Sequence, residues 1–178
     1  MKKTIVLVAF ACSGLAVFAQ KKTTTSGTVS FDATTSLDAL PKADNKTVIA
    51  AIDVNSGTVM FEALVKSFSF GNPMMQEHFN SPKWFDSEKN PKASFTGTIT
   101  NPTDVNFAKD GIYKAKIAGA LTLKGITNDV NTDATIEVKG KVLSTTATFA
   151  VKLEDYKISN SGGKLAAEPT ISVAADLK

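Results

Sequence analysis

The chain has 178 residues, a length that suits one domain, and 43% of them are hydrophobic, which excludes a disordered protein. Its formal net charge is +3 and all 20 basic residues are lysine. Recognition of phosphate and nucleic acid leans on the bidentate fork of arginine, so this composition argues against a nucleic-acid partner.

In chain order, Met1 to Ala19 reads as an export signal. Lys2 and Lys3 form the charged start, Thr4 to Phe18 is the apolar run, and Val17-Phe18-Ala19 has the cleavage spacing, leaving Gln20 first. The run is too short for a membrane span. A lipoprotein acylated at Cys12 is the alternative. It is disfavoured by the bulky Phe10 and by an apolar run that continues past the cysteine. Cleavage after Ala19 removes the single cysteine, and with it any disulfide, thiol nucleophile or thiolate metal site. The mature chain, residues 20–178, is then expected in the periplasm or outside the cell, opening on a polar tail from Gln20 to Ser26.

Period-two alternation predicts about eight strands: Gly27–Thr34, Thr47–Val54, Gly57–Lys66, Lys92–Thr100, Ile112–Lys124, Thr127–Lys139, Lys141–Leu153 and Thr170–Leu177. Ser36 to Lys46 reads as a connection, and Asn55-Ser56-Gly57 as a hairpin turn. One-sided alternation over long strands implies an all-β, antiparallel closed barrel. Strands of a dozen residues reach roughly 40 Å, long for a sandwich and natural when tilted around an axis. The inward faces carry many small residues, among them Ala50, Ala63, Ala93, Gly97, Ala115, Gly119, Ala134 and Ala147. They leave volume for a ligand, or they relieve crowding where the wall bends.

The stretch from Ser67 to Thr100 breaks the alternation. It gathers Phe68, Phe70, Met74, Met75, Phe79, Trp84, Phe85 and Phe95 and holds the only Trp and the only His. Pro73 suits the first turn of a helix, so one short helix is expected near Pro73 to Phe79. It would act as a plug for the barrel or as a lid over a ligand.

Enzyme signatures are weak. His78 is the only His, so no multi-His metal site can form. A triad through His78, Glu77 and one of Ser67, Ser69 or Ser81 lacks a nucleophile elbow. Asp104, Asn106 and Asp110 do not follow a calcium-loop pattern. Gly162-Gly163 lacks the strand and helix of a phosphate loop. No catalysis, metal or cofactor is expected.

Two motifs carry a family resemblance. His78-Phe79, Trp84-Phe85-Asp86 and Asn90-Pro91-Lys92-Ala93-Ser94-Phe95, together with Gly119-Ala120-Leu121-Thr122-Leu123-Lys124-Gly125-Ile126-Thr127, resemble the YceI-like lipid-binding family. The resemblance implies a periplasmic, lipocalin-like barrel holding a long isoprenoid or fatty chain. The chain departs from the expected pattern in having little helix and no Arg. The carrier reading stands beside two others, a packed interaction barrel without a stable ligand and an uncharacterised hydrolase or isomerase. For the carrier, Phe31, Phe61, Phe95, Ile117, Leu121 and Phe149 are expected to line the cavity. Phe68, Phe70, Met74, Met75, Phe79, Trp84 and Phe85 are expected to cover it. Without arginine, a quinone-like or amide head is favoured over a pyrophosphate.

For the export signal, the expected outcome is an exported protein whose first residue is Gln20, read by N-terminal sequencing. A diacylglycerol-modified Cys12 in first position would refute it.

Overall fold

The computed structural model describes residues 21–39, 41–159 and 165–178. The export signal through Ala19, Cys12, Gln20 and the Gly162-Gly163 pair lie outside the described residues.

Among the described residues, nine strands and one α-helix follow along the chain: β1 (Lys21–Asp32), β2 (Lys42–Asp53), β3 (Thr58–Leu64), β4 (Ser69–Phe70), α1 (Pro73–Asn80), β5 (Lys92–Ile99), β6 (Gly111–Leu123), β7 (Ile126–Lys139), β8 (Val142–Ala150) and β9 (Thr170–Leu177). Hydrogen-bonded neighbours run β1-β9-β8-β7-β6-β5-β3-β2, and β2 pairs back onto β1, so eight antiparallel strands close a barrel. β4 is an extra two-residue strand that joins β2 through Ala43↔Phe70 and Asp44↔Ser69.

Alternation explains the wall. On β6, Ala115, Ile117, Leu121 and Leu123 are buried while Lys114 and Lys116 are exposed. Tight hairpins fix the register. Leu123 pairs with Ile126, and the two residues between them, Lys124 and Gly125, both hold positive φ, the backbone of a twisted two-residue turn. Asp53 accepts from the N–H groups of Asn55 and Ser56 and so stabilises the β2–β3 turn.

The expected boundaries shift in several places, and β8 stops at Ala150, three residues short of its expected end at Leu153, which instead opens a 3-10 turn. Lys21 to Thr24 is strand rather than tail, paired with Ala50 to Asp53 of β2. These residues carry no apolar stripe because they supply backbone partners at the rim. β2 starts at Lys42, inside the expected connection. β3 stops at Leu64, and Val65–Ser67 form a 3-10 turn that brings the chain to β4.

Two core clusters fill the ends. One gathers Phe31, Phe68, Phe70, Phe79, Trp84 and Phe85 with Val151, Leu153 and Tyr156. The other gathers Ile52, Val59, Ile99, Val105, Ile136, Leu143 and Leu177. Phe61 and Phe95 are half-buried and touch both.

Phe95 also explains the two glycines of the wall. Gly97 and Gly119 are partners across β5 and β6. A Cβ on Gly119 would sit 2.5 Å from Thr96 O and 2.7 Å from Phe95 Cζ; one on Gly97 would sit 2.8 Å from Phe95 Cζ. The ring lies over both glycines and takes the space they leave, so here small residues accommodate an aromatic side chain rather than a ligand.

Gly119→Ala is therefore expected to lower stability by about 1–3 kcal/mol through overpacking against backbone atoms, read as a shift of the urea midpoint. An unchanged midpoint would show that the β5–β6 backbone yields at the glycine pair at no cost.

Candidate functional site

The helical stretch is built locally. The Asn72 side chain accepts from Met74 N–H at 2.9 Å and from Met75 N–H at 3.4 Å, with Pro73 at the start of α1. At the other end the Ser81 hydroxyl donates to His78 O at 2.7 Å. The chain then folds back, with Phe85 N–H donating to Phe79 O and Asp86 N–H to Ser81 O. Asp86 sits at φ 50, and the Asn90 amide donates to Phe85 O and Asp86 O at 3.3 Å each.

This folding places Phe79 in the middle of five rings. Its centroid lies 4.4 Å from Phe85, 4.9 Å from Phe70, 5.5 Å from Phe68, 6.1 Å from Trp84 and 6.2 Å from Phe31. The contacts are tilted or edge-on, the favoured aromatic geometries. One end of the barrel is plugged by this cluster, and the other by the second core cluster with Val105.

Between the plugs lies a cavity. Its volume is about 110 Å³. Its walls are almost wholly apolar, and among the described residues no charged side chain lines it. The polar residues in the lining are Ser94, Thr132 and Thr145.

Of the expected wall residues, Phe31, Phe61, Phe95, Ile117, Leu121 and Phe149 all face this space. Of the expected cover, Phe68, Phe79 and Phe85 face it. Phe70 and Trp84 are buried behind Phe79, Met75 packs against the cluster from outside, and Met74 is 64% exposed. The helix therefore turns its Phe79 edge inward and Met74 to solvent. Alternation already marked Ala63, Ala93, Ala134 and Ala147 as inward, and they also line the cavity. Leu153, inward by the alternation of the expected Lys141–Leu153 strand, lines it from the start of a 3-10 turn, and Pro169 lines it from an irregular segment, where periodicity carries no signal.

One wall is incomplete. The β7–β8 ladder runs from Lys139↔Val142 to Ala134↔Ala147 and ends there. From Ile126 to Asp133, β7 is paired with β6 alone, while Thr148 to Ala150 of β8 pair with β9. The chain beyond β8 stays with β9's side, through Val151 N–H to Pro169 O and Leu153 N–H to Ala167 O. A seam therefore separates the first half of β7 from the end of β8. Below it the Leu153–Tyr156 turn leans back on β7, where the Asn128 amide donates to Asp155 O at 3.1 Å and Lys124 Nζ to Lys157 O at 3.4 Å. Tyr156 is buried at this contact; burial pushes its phenol above the ordinary value, with the Asn128 hydrogen bond opposing.

His78 is exposed at the end of α1, away from the cavity lining. Among the described residues no cluster of His, Cys, Asp or Glu could hold a metal ion, and no helix is long and apolar enough to cross a membrane.

The fold matches a polyisoprenoid binding domain from Saccharophagus degradans implicated in plant cell wall breakdown, with TM-score 0.75 and 11% identity over 90% of this chain and 98% of that one. It matches BcnA of Burkholderia cenocepacia with TM-score 0.69 and 18% identity, over 85% and 96% of the two chains. It matches a YCEI protein of Campylobacter jejuni with TM-score 0.52 and 19% identity, over 100% and 99%. No curated protein matches the sequence at a significant level. Residues 8–178 match the YceI-like domain, and the chain belongs to the YceI-like family.

Proposed function

We propose that the protein is a carrier for an apolar lipid, an isoprenoid, quinone-like or fatty acyl chain, held in the barrel. The observation that carries this reading is the cavity itself, a space of about 110 Å³ walled by Phe31, Phe61, Phe95, Phe149 and Leu121 between two packed ends. A packed structural barrel would fill such a space, because interiors close to crystal-like density and each unfilled volume costs stability. An apolar chain regains those contacts and leaves water at about 0.8 kcal/mol per buried CH₂. The likeness to a domain described as polyisoprenoid binding supports the same class of ligand. Binding rather than catalysis fits a lining with three hydroxyl side chains and no titratable group. The export signal read in Met1 to Ala19 puts the carrier in the periplasm or outside the cell, where a lipid moving through water needs such a shelter.

Protein purified without denaturant and extracted with organic solvent is expected to yield one dominant apolar lipid by mass spectrometry. Ala134→Leu combined with Ala147→Phe puts bulk on two partnered positions that both line the cavity. This variant is expected to lose the lipid while keeping a folded β spectrum by circular dichroism. The same lipid at the same occupancy in the filled variant would place the chain outside the barrel.

A further inference from the structure

The barrel is hollow over only part of its length. On β8 and β9 the inward side chains change from half-buried to buried just past one partnered pair, Ala147↔Val173. On β5 the same change falls just past Phe95. The half-buried side, toward the Phe79 cluster, lines the cavity. Toward the β2–β3 hairpin the interior is packed: Ile52, Ile136, Leu143 and Leu177 are at most 2% exposed, and none of them lines the cavity. Val59, Ile117 and Ala134 belong to that packed cluster and also line the cavity, so together with Thr145 they form its inner end.

We propose that these four residues act as a stop that sets the length of the bound tail. This rests on the carrier reading and adds to it the length class of the ligand. On β6 the cavity is lined from Leu123 to Ile117. That run is about 20 Å along the strand and, at a tilt of about 40°, about 15 Å along the barrel axis. An extended chain advances about 3.6 Å for every three bonds, so the depth matches roughly a dozen main-chain carbons, the length of a farnesyl or dodecyl group. A longer polyprenyl or acyl chain cannot enter in whole. Width yields more easily than depth. A tail of this length needs more room than the 110 Å³ present. Phe61 and Phe149 are half-buried rings at its side and can give way, and β7 and β8 are paired over only part of their length. The stop has no such slack. Val59 is 1% exposed, and what lies beneath it is fully buried. A new hollow there would forfeit contacts held at crystal-like density.

The probes are straight-chain primary alcohols from hexanol to hexadecanol, titrated into delipidated protein by calorimetry and by Trp84 emission. Each added CH₂ is expected to tighten binding about fourfold, the equivalent of about 0.8 kcal/mol. The gain is expected to end near dodecanol, with hexadecanol within about twofold of it. Ile117→Ala removes bulk from the stop and is expected to move the break to a chain about two carbons longer. Leu143→Ala makes a comparable loss in the packed half, away from the cavity, and is expected to leave the break where it is. Should Ile117→Ala not fold, Ile117→Val reads the same shift at about one carbon. An affinity that keeps rising through hexadecanol would overturn the stop and leave the carrier reading standing. A break that stays at dodecanol in the Ile117 variant, or moves equally in Leu143→Ala, would overturn its placement at Ile117. If no alcohol binds and no lipid is extracted from native protein, the carrier reading itself fails, and this inference with it.

Discussion

The burial of Phe79 is the contact on which the rest of the molecule depends. An eight-residue helix is too short to be stable alone. It is held because its one fully buried side chain enters a nest of five aromatic rings contributed by β1, β4 and the segment on either side of it. The Asn72 cap and the Asn90 amide fix where the segment starts and where it turns back. With that plug in place, β4 can dock on β2, and the open end of the barrel becomes an apolar floor. Without it the cavity would be a water-filled mouth, and water would compete for the same surface that an apolar ligand has to gain.

Space inside the barrel is partitioned by the same logic. Not every small residue makes room for a ligand. Gly97 and Gly119 are small because the Phe95 ring lies on them, with no place left for a Cβ. Ala63, Ala93, Ala134 and Ala147 border the unfilled volume. The two groups are identical in a pattern of inward small residues and differ only in what lies above them. Phe95 turns the first group into a packed wall, and the wall in turn holds the ring at the cavity's side.

How far the fold was legible follows from which forces set it. Alternation reports burial on one face, so the strands, the closed barrel and the helix after Pro73 could be read from the sequence. The rim strand Lys21–Thr24 could not, because its role is to supply backbone hydrogen bonds, and polar threonines do that without leaving an apolar stripe. Composition located the aromatic stretch but not its facing. Met74 and Phe79 both look like cover residues in sequence; the capped start of α1 turns one to solvent and the other into the core. Phe70 and Trp84 were assigned to the cavity by their chemistry and sit one layer behind it. Leu153 keeps the inward alternation of β8 although it stands in a 3-10 turn, whereas Pro169 reaches the cavity from irregular chain, which no period describes.

The seam is the feature least visible in sequence and most tied to register. β7 has 14 residues and β8 has 9, and their turn at Gly140 aligns the short strand with the far half of the long one. The remaining residues of β7 keep their alternation because β6 pairs with them fully, so the periodicity shows an intact strand where one edge is unpaired. An unpaired edge of this length is normally a liability for pairing with another chain. Here the Leu153–Tyr156 turn leans across its lower part through the Asn128 amide, and charged side chains stand on its exposed face. Just past the last paired residues, Thr132 of β7 and Phe149 of β8 both line the cavity without pairing to each other. A complete ladder would pair that backbone along its whole length; among the described residues the ring of eight strands instead closes with β7 and β8 paired over only part of their length.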